Sequence, residues 1–187
     1  SYIAGDIFAN GSIFISPSAT IDGAIYSDEI MSISLPELDL NFYRALADDI
    51  IVGSVQIDES CKPDGIIFVD GDATISGNLA PGTAIIASGR LIIAGDPSWG
   101  NLVLLIAAAG IEVNCNCLTA ILFSPAEIIF RYPTILNGSV VGGNIVMEQE
   151  IEFNYLDPKG QGLAAPLPDL KIRRSDWHQR FFIPVIK

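Results

Sequence analysis

Histidine occurs once in the 187 residues, at His178, and methionine and tryptophan occur twice each. One imidazole excludes the multi-histidine zinc centres of hydrolases. Three cysteines, Cys61, Cys115 and Cys117, are too few for a disulfide scaffold. Basic residues are scarce, 10 against 22 acids, for a formal charge of −12. An acidic surface is repelled by phosphate backbones, so no nucleic-acid partner is expected. The GxSxG, HExxH, GxxxxGK(S/T) and GxGxxG signatures are all missing. The expectation is therefore no catalytic residue, no metal ligand and no cofactor, and the chain reads as a non-enzyme. Charged residues make up only 17% of a chain that is 50% apolar, which excludes intrinsic disorder. No uncharged stretch reaches the roughly 20 residues that a membrane-crossing helix needs. No basic segment precedes an apolar core at the start, so no leader is legible, and any anchor is expected upstream of Ser1.

What the chain does have is isoleucine: 29, against 16 Leu and 9 Val, interspersed with 17 Gly and 11 Pro. Isoleucine favours strands, and the scattered Gly and Pro rule out a long helical bundle. The isoleucines fall in a repeat. Segments opening at Gly23, Gly65, Gly82, Leu102, Leu118 and Gly138 each show a short apolar strand, a corner, and a second short strand. The corners fall at Gly71, Gly89, Gly110, Pro125 and Gly143, with the interval before Gly110 longer and the one after it shorter than the others. A fragment of the same kind, Ile3–Phe8 and Ile13–Ile15, opens the chain. Strands this short with such regular corners do not read as hairpins, because matched alternating strands are not separated throughout by two-residue turns. A coil of about 18 residues per turn fits, each turn stacked about 4.8 Å above the last with isoleucine columns inside. The predicted fold is all-β: a right-handed parallel β-helix (solenoid) of about six to seven rungs over residues 1–156. The competing architecture is an antiparallel sandwich. Ile86 and Ile106 are expected to point into the coil.

One helix is predicted, over 34–49. Ser34 and Glu37 read as a capping box, Pro36 sits in the first turn, and Leu38, Phe42, Ala45 and Leu46 make one apolar stripe. It is expected to pack on the side or end of the coil, shielding an edge. Residues 157–187 differ in composition. They hold six of the ten basic residues and three acids, leaving −15 on residues 1–156 and +3 on this C-terminal tail. The tail is expected to fold back on the coil, and Arg173, Arg174, Trp177 and Arg180 are its candidate partner contacts. Cys115 and Cys117 alternate with Asn in a strand-like run, which places both on an apolar face. Two buried small hydrophobes is one reading, and a bridge from Cys61 to either is another.

A charge ladder is the remaining candidate. Asp72 and Arg90 follow the corner glycines of consecutive rungs and should stack and pair, contributing at most about 1 kcal/mol if exposed. Glu112 over Glu127 would set two like charges one rung apart, relieved by Arg131 or able to hold a cation weakly.

The rungs Gly65–Gly77 and Gly82–Gly89, the Leu35–Tyr43 segment and Ser175-Asp-Trp177 resemble the polymer-forming β-solenoid domains of PilX-type pilus-assembly and minor-pilin proteins. A weaker resemblance, in the repeat alone, is to bactofilin-like cytoskeletal proteins. The first resemblance implies a structural or adhesive module displayed extracellularly at the cell surface and held to the membrane only through an N-terminal helix. It also implies other pilin or fibre subunits, or a surface polysaccharide, as partners. The second implies an intracellular self-assembling scaffold. A carbohydrate-binding or carbohydrate-cleaving β-helix is the third expectation, with Phe8, Phe14, Tyr26, Phe68, Phe123 and Phe130 as candidate stacking residues.

Overall fold

The structure, a computed structural model, describes residues 2–4, 7–9, 20–22, 24–27, 35–58, 60–61, 63–95, 102–156 and 162–167. Strands β1 (Tyr2–Ala4), β2 (Ile7–Ala9), β3 (Thr20–Asp22) and β4 (Ile25–Ser27) come first, followed by helix α1 (Leu40–Leu46). Then come β5 (Asp49–Val52), β6 (Val55–Ile57), β7 (Ile66–Asp70), β8 (Ala73–Ile75), β9 (Ala84–Ala87) and β10 (Leu91–Ala94). The last are β11 (Val103–Ala107), β12 (Ile111–Asn114), β13 (Cys117–Phe130), β14 (Thr134–Met147) and β15 (Ile151–Tyr155). All strand pairings among the described residues are parallel. The chain is a right-handed parallel β-helix of about six turns, as the repeat predicts, and not a sandwich.

Two faces run the length of the coil. The first is built from β5, β7, β9, β11 and the middles of β13 and β14. The second is built from β6, β8, β10, β12 and the far ends of β13 and β14. A third face appears late, where β15 pairs with the start of β14. Ala73 lies opposite both Val55 and Leu91, with turns of equal length on either side. The next turn, Leu91 to Ile111, is longer than these. The turn from Ile111 to Ile128 is shorter, and the pairing of β13 with β14 has an irregularity between Ser124 and Glu127.

The interior is a set of stacked aliphatic columns. Ile57, Ile75, Ile93, Val113 and Phe130 form one, each buried to 2% exposure or less. Ile67, Ile85, Leu105 and Leu122 form another. Parallel ladders hold the columns one rung apart, so each side chain packs on its equivalents above and below. A second apolar layer lies outside the first face. Ile66, Phe68, Ala84, Ile86, Leu104, Ile106, Ile121 and Phe123 point outward and are covered by Tyr43, by Leu38 and Leu40, and by Leu163, Ala165 and Leu167. Ile86 and Ile106 are thus fully buried, but in this outer layer and not within the coil.

Helix α1 is shorter than predicted and starts later. Asp39 is its N-cap, accepting the Phe42 N–H at 3.0 Å, while residues 35–39 are non-helical. Pro36 disfavours helical geometry at Leu35, and Leu38 and Leu40 are drawn onto the outer layer, so the Asp cap takes over. Ser34 lies outside the described residues. Arg44 pins the helix to the first face: its guanidinium meets Asp70 at 2.9 Å and lies 5.6 Å from the centre of the Phe68 ring. The helix therefore covers the side of the coil.

The N-terminal strands do not continue the coil below β5. β1 pairs with β3 and β2 with β4, at the sequence spacing of the main coil, and β1 runs beside β15 at the last-rung end. β5 and β6 remain edge strands among the described residues.

Candidate functional face

With the first face covered, the outer side of the second face is the long sheet surface left open among the described residues. Its strands alternate: inward Ala73, Ile75, Leu91, Ile93, Ile111 and Val113 are buried, while outward Thr74, Ile92, Glu112 and Asn114 are half-buried. Along the coil axis, one outward column reads Gln56, Thr74, Ile92, Glu112, Ile129, Val146. Short polar and single aliphatic side chains thus follow one another at rung spacing on a rigid ladder.

The charges on this face are organised by Arg131. Its Nε lies 3.0 Å from Glu112 Oε1, and its terminal nitrogen lies 2.7 Å from Glu148 Oε1. Asn114 Nδ2 donates to Glu112 at 2.9 Å. The Asn114 bond holds the Glu112 carboxyl below its ordinary range; part-burial opposes this, and the hydrogen bond and charge of Arg131 add to it. Glu112 in turn raises the Arg131 guanidinium, first through the same hydrogen bond. A group depressed on folding contributes stability above its unfolded value, here 4.5, and that contribution is lost as the pH falls through the lowered folded value. Denaturant unfolding of the native chain should therefore lose stability below about pH 4. In Asn114→Ala the Glu112 part of that loss should shrink, and a carboxyl 13C titration should place Glu112 nearer its ordinary range.

The predicted ladder is only partly formed. Asp72 and Arg90 are neighbours on consecutive rungs, but Asp72 Oδ1 accepts the main-chain N–H of Arg90 at 2.7 Å, and no Asp72–Arg90 ion pair occurs among the described residues. Asp72 acts as a corner clamp, holding one rung's main chain to the next. Glu112 does not stack on Glu127. Glu112 lies opposite Ile129, and Glu127 lies opposite Asn144, whose Nδ2 donates to it at 2.7 Å. β12 pairs with β13 so that Glu112 meets Ile129, two residues beyond Glu127 on the same side of the strand. The like-charged pair, and the weak cation site built on it, are replaced by an Asn–Glu bond and the Arg131 bridge. Arg131 does relieve Glu112, as expected.

Between these groups, Arg90, Gly110, Glu112, Glu127 and Ile129 line a dent of ≈ 10 Å³, about the room for one water. Small-molecule sites usually run to about 300 Å³ or more. Among the described residues no three His, Cys, Asp or Glu side chains converge as a metal site. None of the three cysteines is in a disulfide. Cys115 is buried, but Cys117 is exposed, because the strand alternation breaks at the corner between β12 and β13, and Cys61 is exposed in the connection between β6 and β7. Of the candidate stacking aromatics, Phe68, Phe123 and Phe130 are buried. The side chains of Phe8, Phe14 and Tyr26 lie outside the described residues, as do Arg173, Arg174, Trp177 and Arg180. Sequence reasoning missed Asn114, two residues from Glu112 on the outward side of β12 where strand alternation could have found it, and Asn144 and Glu148, which only the register brings to Glu127 and Arg131.

No family model, curated protein or solved structure matches the chain. Among the described residues no helix is long and apolar enough to cross a membrane.

Proposed function

We propose that the chain is a non-catalytic structural or adhesive module of a cell surface, of the kind carried by minor pilins and pilus-assembly proteins. The observation that supports this reading is the open second face. It is a stiff, parallel ladder with mixed polar and aliphatic side chains at even spacing, and the dent described on it has the size of a water. Such a surface suits contact with another macromolecule, a fibre subunit or a polysaccharide, more than enclosure of a small substrate. Continuous end-to-end polymerisation, the scaffold alternative, meets like charge at both ends. Asp49 and Asp58 lie on the first rung, and Glu152 lies on the last.

Location decides between them. An antibody against the purified chain should label intact source cells and the fibre fraction sheared from them. Labelling only after lysis, with filaments inside the cell, would contradict the surface role.

A further inference from the structure

The first-rung edge of the coil joins open main-chain groups to a mixed acidic and apolar side-chain pattern. Gly53 N–H bonds to Asp70 O, so by the two-residue alternation of a parallel ladder the N–H groups of Asp49 and Ile51 face β7. Those of Ile50 and Val52 then face away from the coil. On β6 the Gln56 N–H does the same, since Val55 N–H bonds to Asp72 O on the rung above. Among the described residues no strand pairs with this edge.

Side chains alternate along the same strand. Asp49 and Ile51 belong to the inward set: Asp49 lies below Ile67 and Ile85, and Ile51 packs against the inner core. A carboxylate therefore terminates an aliphatic column, and no cation pairs with it among the described residues. Ile50 points outward, below Phe68 and Ile86. From β7 upwards that outer layer is covered by α1 and by a C-terminal strap, residues 162–167. Ala164 N–H ties the strap to Gly82 O at 2.8 Å, and the Tyr43 hydroxyl of α1 donates to the Pro166 carbonyl at 3.0 Å. One rung lower the cover ends, and Ile50 and Val52 are 43% and 78% exposed.

An inward charge on an edge strand discourages pairing with a like copy, and Asp49 with Asp58 repels the acidic last rung of a second chain. A block alone needs no exposed aliphatic side chains beside it, which are a liability on an open edge. The combination discriminates between strands. A neutral strand would desolvate Asp49 without a partner, and an acidic one would add repulsion. A strand with a cation at that position pairs with Asp49, satisfies the Ile50 and Val52 main chain, and covers their side chains. The other open edge has different chemistry. Glu148 N–H bonds to Phe130 O, so the Ile145 and Met147 N–H groups face away from β13, and their side chains end the Ile128 and Phe130 columns without charge.

We infer that the β5 edge is a docking site for an extended segment of a partner protein, which adds a parallel strand beneath the first rung. The segment carries Lys or Arg opposite Asp49, followed by apolar residues opposite Ile50, Ile51 and Val52. Main-chain hydrogen bonds supply affinity, and the Asp49 carboxylate supplies selection. This site is separate from the second face and does not depend on where the protein resides.

Two synthetic peptides test this on the full-length chain, one centred on Thr-Arg-Val-Ile-Val-Thr and one with Glu in place of Arg. In an NMR titration the Arg peptide should bind about tenfold more tightly than the Glu peptide. Bound, it should slow amide exchange at Ile50 and Val52 and leave the Ile145 and Met147 amides unmoved. Asp49→Lys should reverse the preference, and Asp49→Asn, which keeps the side-chain shape, should make the two peptides equal. Equal binding to the unaltered chain overturns the site, as does an Arg peptide that settles on Ile145 and Met147. Ile50 and Val52 amides already protected without peptide overturn it too: in favour of the chain's own segment if protection survives dilution, and of a second copy if it does not.

Discussion

Ile75→Asp should leave the chain unable to fold, whereas Thr74→Asp, one residue earlier, should leave a cooperative melt within a few degrees of the native one. Ile75 is fully buried between Ile57 and Ile93 in the second-face column, and no polar group is described beside it. Loss of the Ile side chain forfeits about 3 kcal/mol of burial, and an unpaired buried carboxylate adds several more. That sum rivals the roughly 5–15 kcal/mol that holds an ordinary domain together. Thr74 points outward on the same strand and is half-buried, so its replacement disturbs only the surface. Circular dichroism and thermal unfolding of the two variants read the difference. Ile86→Asp and Ile106→Asp should also unfold the chain, but through the outer layer beneath α1 and the strap. Equal tolerance at 74 and 75 would mean that the inward columns are wrongly assigned.

Gly138→Ala should destabilise the chain by about 3 kcal/mol, a large effect for one methyl group. Gly138 is buried with φ +152°, and a Cβ placed on it collides with the Ala120 carbonyl oxygen of the rung below. That obstacle is backbone, held in the β13–β14 ladder, and no rotamer change relieves it. Tyr155 lies opposite Gly138 on the next rung, so widening the gap there would also loosen β15. The midpoint of urea unfolding should fall with its slope preserved. An unchanged midpoint would show that the rungs at this corner are further apart than the structure places them.

Much of the architecture is legible in the sequence because a coil repeats its own chemistry. Glycine, serine or aspartate corners at a nearly constant interval, with isoleucine runs between, leave few folds that bury all the runs. The second face even shows its inside and outside, since buried and half-buried residues alternate along β8, β10 and β12. The first face conceals them. Ile66-Ile67-Phe68-Val69 is buried on both sides, inside by the columns and outside by α1 and the strap, so period-two alternation disappears. This is why Ile86 and Ile106 read as interior.

Register is the other illegible quantity. Gly110 looks like the corner equivalent to Gly89, yet Ala109 donates its N–H to Gly89 O, and Leu91 donates to Gly110 O. Gly110 therefore stands over Arg90, one position later than the glycine pattern suggests. The shorter turn that follows sets Ile129 opposite Glu112, and Glu127 meets Asn144 on the next rung. A glycine marks where a corner can form, but hydrogen bonds fix which residues face each other. The charged site on the second face depends on that second kind of information.

Through-space proton contacts along the backbone are the most direct measurement of the stacked coil. Parallel rungs predict N–H to Hα contacts joining residues one turn apart, Val55 with Ala73 and Ala73 with Leu91, and no strong Hα–Hα contacts between strands. Strong Hα–Hα contacts between β7 and β8, or between β9 and β10, would mean antiparallel hairpins and would contradict the parallel coil outright.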